Sequence, residues 1–265
     1  MKHCAFIATM LIGLLAQAAS AQVAPLRAIV SNGMRAVVEG LRPQLESDAA
    51  RPLSTEFATS AAVRQRIESG EAFDVAILTT EVINDLAKAG KIAPGSVVDL
   101  GRSGIGFGVR AGAAKPDIRT PESVKQTLLN AKSLTWVSVG ASRTHIDRML
   151  EQLGIASDVK SKIVLTQGVD ESVALVAQGK NEMIITLISE ILPAKGVQLI
   201  GPLPDKFQNY VTFAGGISPK STAPAASAMV IRSLAAPRSA KTYQAKGMEL
   251  PIAGDIRQRP PRPIK

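Results

Sequence analysis

Apolar segments and helical patterns alternate along the first third of the chain. Three strands are predicted at residues 26–30, 53–58 and 74–78. A polar turn follows each strand, and apolar residues then recur at helical spacing, which predicts helices over 34–45 and 61–69 and a third that ends at Gly90. Three strand–helix units in succession predict a parallel sheet covered on both faces, and in such sheets ligands bind beyond the carboxyl ends of the strands.

The remainder of the chain continues this alternation. Strands are predicted at residues 103–110, 134–139, 164–167, 183–188, 197–200 and 210–213. Helices are predicted at residues 121–130, 143–153, 171–178 and 223–235, and a turn at Ala214, Gly215 and Gly216. The complete pattern is typical of an α/β protein.

The first 21 residues have the pattern of a secretory signal peptide. Lys2 and His3 form a basic start, residues 5–16 are apolar, and Ala19 and Ala21 fit a small-x-small cleavage site. The apolar segment is too short to span a bilayer, which needs about 20 residues. The sequence therefore predicts a periplasmic protein that does not span the membrane.

The charge of the chain favours anionic ligands. The formal net charge is +9, and without the signal peptide, which holds Lys2 and no acidic residue, 30 basic and 22 acidic residues leave +8. Few aromatic residues are available to stack on bases, so nucleic acid is not predicted as a partner. Residues 253–265 are basic and rich in proline, and are predicted to be a disordered tail.

Cysteine and histidine are nearly absent. Cys4 is the only cysteine and lies in the predicted signal peptide, and His145 is the only histidine after it. A disulfide and the usual transition-metal clusters are therefore excluded from the exported chain, and neither a metal site nor a cofactor is predicted.

Several segments together resemble the periplasmic molybdate-binding proteins, which belong to the type II class of solute receptors. They are residues 57–60 (FATS) leading to 67–77 (IESGEAFDVAI), then 104–112 (GIGFGVRAG) and 177–182 (AQGKNE). The resemblance implies a two-lobed fold in which two α/β domains are joined by two crossing strands and hold the solute between them. The lobes would comprise residues 22–103 with 214–252, and residues 104–213, with the hinge strands at the ends of the second lobe.

The resemblance also implies a set of ligand-binding residues. The serines that hold an oxyanion in the family correspond to Ser31, followed by Asn32 and Gly33, and to Ser60. The second lobe would contribute main-chain amides at Gly140, Ala141 and Ser142, together with Thr186. Several of these positions are predicted helix N-termini, where free amide groups and the helix dipole favour an anion, although plain helix capping explains a serine there equally well.

The sequence departs from the family at the expected ligand tyrosine. The corresponding segment is Ile185-Thr186-Leu187, which has no phenol. Arginines follow three of the predicted helix starts, at Arg35, Arg64 and Arg143, and a guanidinium group matches a carboxylate with two parallel hydrogen bonds. These departures favour an organic carboxylate over molybdate. The alternative for each arginine is a solvated helix face, which is the favoured interpretation for Arg35.

Two functions remain open. The favoured one is a monomeric receptor that delivers a small anion, an organic carboxylate or an oxyanion, to an inner-membrane ABC permease. The alternative is an isomerase on the same scaffold, because residues 188–192 (ISEIL), 201–204 (GPLP) and 213–217 (FAGGI) are similar to an offshoot of the family that includes aconitate isomerase. An isomerase needs a base, for which His145 and Glu190 are the candidates; a surface histidine and a capping glutamate are the simpler interpretations.

Overall fold

A computed structural model describes residues 23–250 of the chain. The predicted signal peptide and the predicted tail at 253–265 lie outside the described residues.

The described residues form nine strands and ten α-helices. The strands are β1 Leu26–Ser31, β2 Leu53–Ala58, β3 Val75–Thr79, β4 Val98–Arg110, β5 Leu134–Val137, β6 Ile163–Thr166, β7 Met183–Leu187, β8 Val197–Pro202 and β9 Tyr210–Ile217. The helices are α1 Arg35–Ala49, α2 Ser60–Glu68, α3 Thr80–Lys88, α4 Pro121–Asn130, α5 Arg143–Leu153, α6 Ala156–Val159, α7 Val169–Ala177, α8 Ile188–Ile191, α9 Pro224–Ala235 and α10 Ala240–Ala245. Short 3-10 helices occupy Asn32–Met34, Lys160–Lys162 and Pro237–Ser239.

The strands form two α/β lobes that share β4. In lobe 1, β2, β1 and β3 are parallel neighbours, and β9 runs antiparallel between β3 and the first half of β4. In lobe 2, the second half of β4 is antiparallel to both β7 and β8, and β7, β5 and β6 are parallel neighbours. The pairing of β4 changes from β9 at Gly104 to β7 at Ile105. The two-lobed α/β architecture is as predicted; the exact lobe bounds stay a prediction.

The carboxyl ends of β1 and β7 face each other between the lobes. The Ser189 hydroxyl, just after β7, donates a 2.8 Å hydrogen bond to the carbonyl of Gly33, just after β1. Gly33 packs so closely that a Cβ atom there would lie 2.5 Å from the Phe213 ring and 2.8 Å from a methyl group of Leu187. The edge at which a parallel sheet binds ligands is therefore turned toward the other lobe in both sheets.

The turn predicted at Ala214, Gly215 and Gly216 is wrong. All three residues lie inside β9, which continues to Ile217 and pairs with β3. Close packing explains the two glycines, because a Cβ atom at Gly216 would lie 2.7 Å from the Ile92 side chain, and one at Gly215 would lie 3.2 Å from Ile231. The glycines thus admit neighbouring side chains against the sheet.

Each lobe has a core of buried side chains on the faces of its sheet. Lobe 1 buries Val37 and Leu45 of α1 and Leu234 of α9, and lobe 2 buries Trp136 of β5 and Leu128 of α4. None of the helices described between residues 23 and 250 is long and apolar enough to cross a membrane.

Candidate functional site

A cavity of about 410 Å³ lies between the two lobes, where the start of α1 approaches the starts of α7 and α8. Its polar lining residues are Asn32, Arg35, Glu39, Asp170, Ser189, Glu190 and Lys195. Apolar groups of Ala36, Val169, Val173, Pro193 and Ala194 complete the wall. A mixture of cationic, anionic and hydrogen-bonding groups around an apolar floor is typical of a site for a small polar molecule.

Glu190 is the titratable group whose environment is most altered in this cavity. It is the third residue of α8, the short helix that follows β7, and its carboxylate accepts a 2.5 Å hydrogen bond from the Thr186 hydroxyl. Burial raises the pKa of Glu190 from 4.5 to about 7, against the opposing effects of the Thr186 hydroxyl, the Leu187 backbone and the Arg35 charge. Both protonation states of this carboxyl are therefore well populated near neutral pH.

Arg35 joins the two lobes across the cavity. Its two terminal nitrogens each donate a 3.1 Å hydrogen bond to one carboxylate oxygen of Asp170, the second residue of α7. One of them also donates to the Asn32 side chain at 3.0 Å, and the guanidinium carbon lies 5.1 Å from the centre of the Phe57 ring. The sequence favoured a solvated helix face for Arg35, whereas the structure places it on the cavity wall.

The ligand residues predicted in lobe 1 divide between the cavity and its surroundings. Asn32 lines the cavity, and Ser31 and Gly33 flank it in the chain; both flanking residues are buried. The Ser60 hydroxyl accepts a 3.1 Å hydrogen bond from the Thr79 amide, so it ties the start of α2 to the end of β3. Arg64 donates to Glu68 at 2.8 Å and to Asp85 at 3.5 Å. The roles of Ser60 and Arg64 as ligands stay predictions.

The residues predicted in lobe 2 lie partly outside the cavity wall. Gly140, Ala141 and Ser142 form the turn before α5, and Arg143 donates a 2.6 Å hydrogen bond to Asp147 on its own helix. These four residues are not among the described residues that line the cavity. Thr186, by contrast, contributes indirectly through its hydrogen bond to Glu190.

The two candidate bases have different surroundings. His145 forms a 2.7 Å side-chain hydrogen bond through Nδ1 to Asn209, and burial together with the nearby Arg148 charge lowers its pKa. His145 is not on the cavity wall, whereas Glu190 is.

Sequence reasoning missed the contribution of α7. Val169 and Asp170 begin this helix after a two-residue connection from β6. Because β6 is parallel to β5, the rule that ligands bind beyond the carboxyl ends of strands applies to them as it does to residues 140–142. The predicted helix began two residues later, at Glu171, which left Val169 and Asp170 in a loop. Within the described part of the chain, no group of three histidine, cysteine, aspartate or glutamate side chains is placed to hold a metal ion.

Residues 26–249 match the family model described as bacterial extracellular solute-binding protein. The chain belongs to this family. A relative of this solute-binding protein is the aconitate isomerase of a Pseudomonas species, which is 29% identical over 239 residues, covering 87% of this chain and 90% of the relative.

Solved structures agree on the two-lobed fold. The periplasmic molybdate-binding protein of Azotobacter vinelandii superposes with a TM-score of 0.73 at 16% identity, covering 86% of this solute-binding protein and 100% of the other chain. The sulfate-binding protein SubI of Mycobacterium tuberculosis superposes with a TM-score of 0.64 at 18% identity, covering 84% and 86% of the two chains. The predicted relationship to type II binding proteins is confirmed.

Proposed function

We propose that the cavity between the lobes binds a small organic polycarboxylate and that Glu190 transfers a proton within it, so that the protein isomerises an unsaturated tricarboxylate of the aconitate type. The observation that carries the proposal is the position of Glu190: a carboxyl on the cavity wall whose pKa is raised to about 7 by burial. An acid–base group works best when its pKa lies near the working pH.

The reaction needs a base that removes a proton and an acid that returns one, and a single carboxyl group can do both. The Glu190 carboxylate takes a proton from the methylene carbon next to the double bond, the double bond moves by one position, and the resulting carboxylic acid protonates the far carbon. No atoms are gained or lost. Glu190 suits both steps because neither of its forms is strongly favoured near pH 7.

Two further observations support a carboxylate substrate. The relative that aligns over most of the chain is named aconitate isomerase. The cavity wall carries the cations Arg35 and Lys195, and a guanidinium group pairs with a planar carboxylate through two parallel hydrogen bonds.

Conversion of cis-aconitate to the trans isomer by the purified protein, followed by chromatography, tests the proposal. Glu190→Gln keeps the size of the side chain and removes its acid–base function, so we expect kcat to fall by about 10² to 10⁴-fold. Propane-1,2,3-tricarboxylate is a saturated analogue that cannot isomerise. Calorimetry should show that Glu190→Gln binds it about as tightly as the unmodified protein does. The matched variant His145→Ala should retain turnover, because His145 lies off the cavity wall.

A receptor is the second candidate, and membership of the solute-binding family favours it. In this role the protein would act in the periplasm and deliver the bound anion to an inner-membrane ABC permease. Tight binding of the tricarboxylate without conversion of aconitate by the unmodified protein would reject the isomerase and leave the receptor.

A further inference from the structure

The contact between Arg35 and Asp170 has the geometry of a bound carboxylate. Both Asp170 oxygens accept 3.1 Å hydrogen bonds from the two terminal nitrogens of Arg35. This parallel arrangement is the one in which arginine binds a free carboxylate. Asp170 comes from lobe 2 and Arg35 from lobe 1, so the pair spans the cavity where we place the ligand.

Two contacts within lobe 1 also hold the Arg35 side chain in this orientation. Asn32 accepts a hydrogen bond from it, and the Phe57 ring lies against its guanidinium group. Arg35 is about two-thirds shielded from solvent, and its Nε is buried with no partner among the described residues. Arg35 would therefore keep pointing into the cavity if Asp170 moved away.

Asp170 is held much less firmly. Its side chain is 73% exposed. Among the described residues, its carboxylate accepts side-chain hydrogen bonds from Arg35 alone. Exposed ion pairs are weak. A pair of this kind is favoured over the separated side chains by at most about fivefold.

From these contacts, and resting on the proposed function, we infer that Arg35 is the residue that binds a carboxylate of the ligand, and that Asp170 competes with the ligand for the same two N–H groups. The ligand's carboxylate replaces that of Asp170 on the guanidinium. The apparent affinity is then lowered by the fraction of molecules in which Asp170 occupies Arg35.

Calorimetric titration with propane-1,2,3-tricarboxylate tests the inference. Asp170→Asn removes the competitor, so we expect the Kd to fall by about two- to sixfold. Glu171→Gln is the matched control: it removes the same charge from the same first turn of α7, but Glu171 contacts the Gln167 amide rather than Arg35, so the Kd should change less than twofold. Arg35→Lys keeps the charge and loses the paired hydrogen bonds, so the Kd should rise at least about tenfold.

The double variant separates competition from a general charge effect. If Asp170 acts through Arg35, Asp170→Asn should give no gain in affinity when Arg35 is already lysine. A higher Kd in Asp170→Asn would mean that the pair closes the lobes over the ligand, and this result would overturn the inference. An unchanged Kd would overturn it as well. Because a gain in affinity is expected, a misfolded variant cannot imitate the result.

Failure of the inference and failure of the proposed function give different results. Aconitate turnover with the same Kd in the unmodified protein and in Asp170→Asn rejects the competition but keeps the isomerase. Tighter binding in Asp170→Asn without turnover in any variant supports the competition and rejects the isomerase. Absence of binding in both proteins rejects both.

Discussion

Glu190 shows how one side chain can carry a cost in stability for the sake of chemistry. A buried carboxyl with a pKa near 7 must either lose its charge or keep it at the expense of the folded state. Groups of this kind are concentrated at functional sites, because a residue selected only for stability would not be ionisable there. The Thr186 hydroxyl relieves part of the cost by donating to the carboxylate.

The stability of the protein should depend on pH through Glu190. Its pKa is 4.5 when unperturbed and about 7 in the folded state, so the folded protein binds more protons between these values and its stability falls as pH rises through them. Glu190→Gln does not titrate. We expect the free energy of unfolding of the variant, relative to the unmodified protein, to increase by up to about 3 kcal/mol between pH 4.5 and pH 8. Urea unfolding at both pH values measures it, and a constant difference would contradict the prediction.

Gly33 should be sensitive to the addition of a single methyl group. A Cβ atom there would overlap the Phe213 ring and Leu187, which belong to different lobes. Gly33→Ala should therefore cost about 1 to 3 kcal/mol in unfolding free energy, measured by chemical denaturation. Gly201→Ala is the control, because the nearest atom to its added methyl lies at 3.6 Å and its stability should hardly change. Equal effects of the two substitutions would show that the packing at Gly33 can relax.

The residues of the candidate site were only partly accessible from sequence. Asn32 and Thr186 were named in advance from the family resemblance, and Glu190 was named as a candidate base that follows a buried strand. Of the three arginines, Arg35 was the least favoured as a ligand residue, yet it is the one that lines the cavity. Arg64 and Arg143 each have an acidic partner four residues later on the same helix, a local signal for a surface ion pair, whereas the partner of Arg35 lies 135 residues away.

At the level of elements, the bounds of a helix were predictable where capping residues at its ends are visible in the sequence. Helix α4 was predicted to the residue: Thr120 caps it, Pro121 occupies its first turn, and both are visible in the sequence. Helix α5 likewise ends at Leu153 before Gly154, which adopts a left-handed conformation. Strand β9 was cut short because paired glycines are typical of turns, and the close approach of Ile92 that requires Gly216 comes from a distant part of the chain.

Gln208 should stabilise the connection between the lobes. Its side-chain amide accepts a 2.8 Å hydrogen bond from the Ile105 N–H and donates a 2.9 Å hydrogen bond to the Ile105 carbonyl, at the point where β4 changes partners. Gln208→Ala should lower the free energy of unfolding by about 1 to 3 kcal/mol, because backbone groups lose their partner. Gln126→Ala, on an exposed face of α4, is the matched control and should have little effect. Similar values for both would show that water replaces the Gln208 amide without loss.

At the scale of the whole molecule, binding between the lobes should appear as thermal stabilisation. A ligand at 100 times its Kd adds about 2.7 kcal/mol, which corresponds to roughly 5 to 10 °C in Tm for a chain of this size. We expect cis-aconitate and propane-1,2,3-tricarboxylate to raise Tm and molybdate to have little effect, because Leu187 follows Thr186 where a phenol would be needed. A molybdate response without a carboxylate response would reverse this assignment of the ligand.

The fold class followed from the alternation of strands and helices, but the order of the strands did not. Periodicity reports which face of an element is buried and says nothing about its neighbour in the sheet. The insertion of β9 between β3 and β4 depends on contacts between residues more than 100 positions apart, such as Thr212 with Arg102.

The shared strand β4 also limits how such proteins can be recombined. Six of its first seven residues pair with β9 and its later residues pair with β7 and β8, so a cut at the boundary between the lobes falls inside one continuous strand. Exchange of a lobe between two relatives must therefore cut β4 and separate its pairing with β9 from its pairing with β7 and β8. The second junction falls where the chain returns through β9. Hybrids with new specificity are better sought by replacing the loops at the strand ends, where the ladder is already complete.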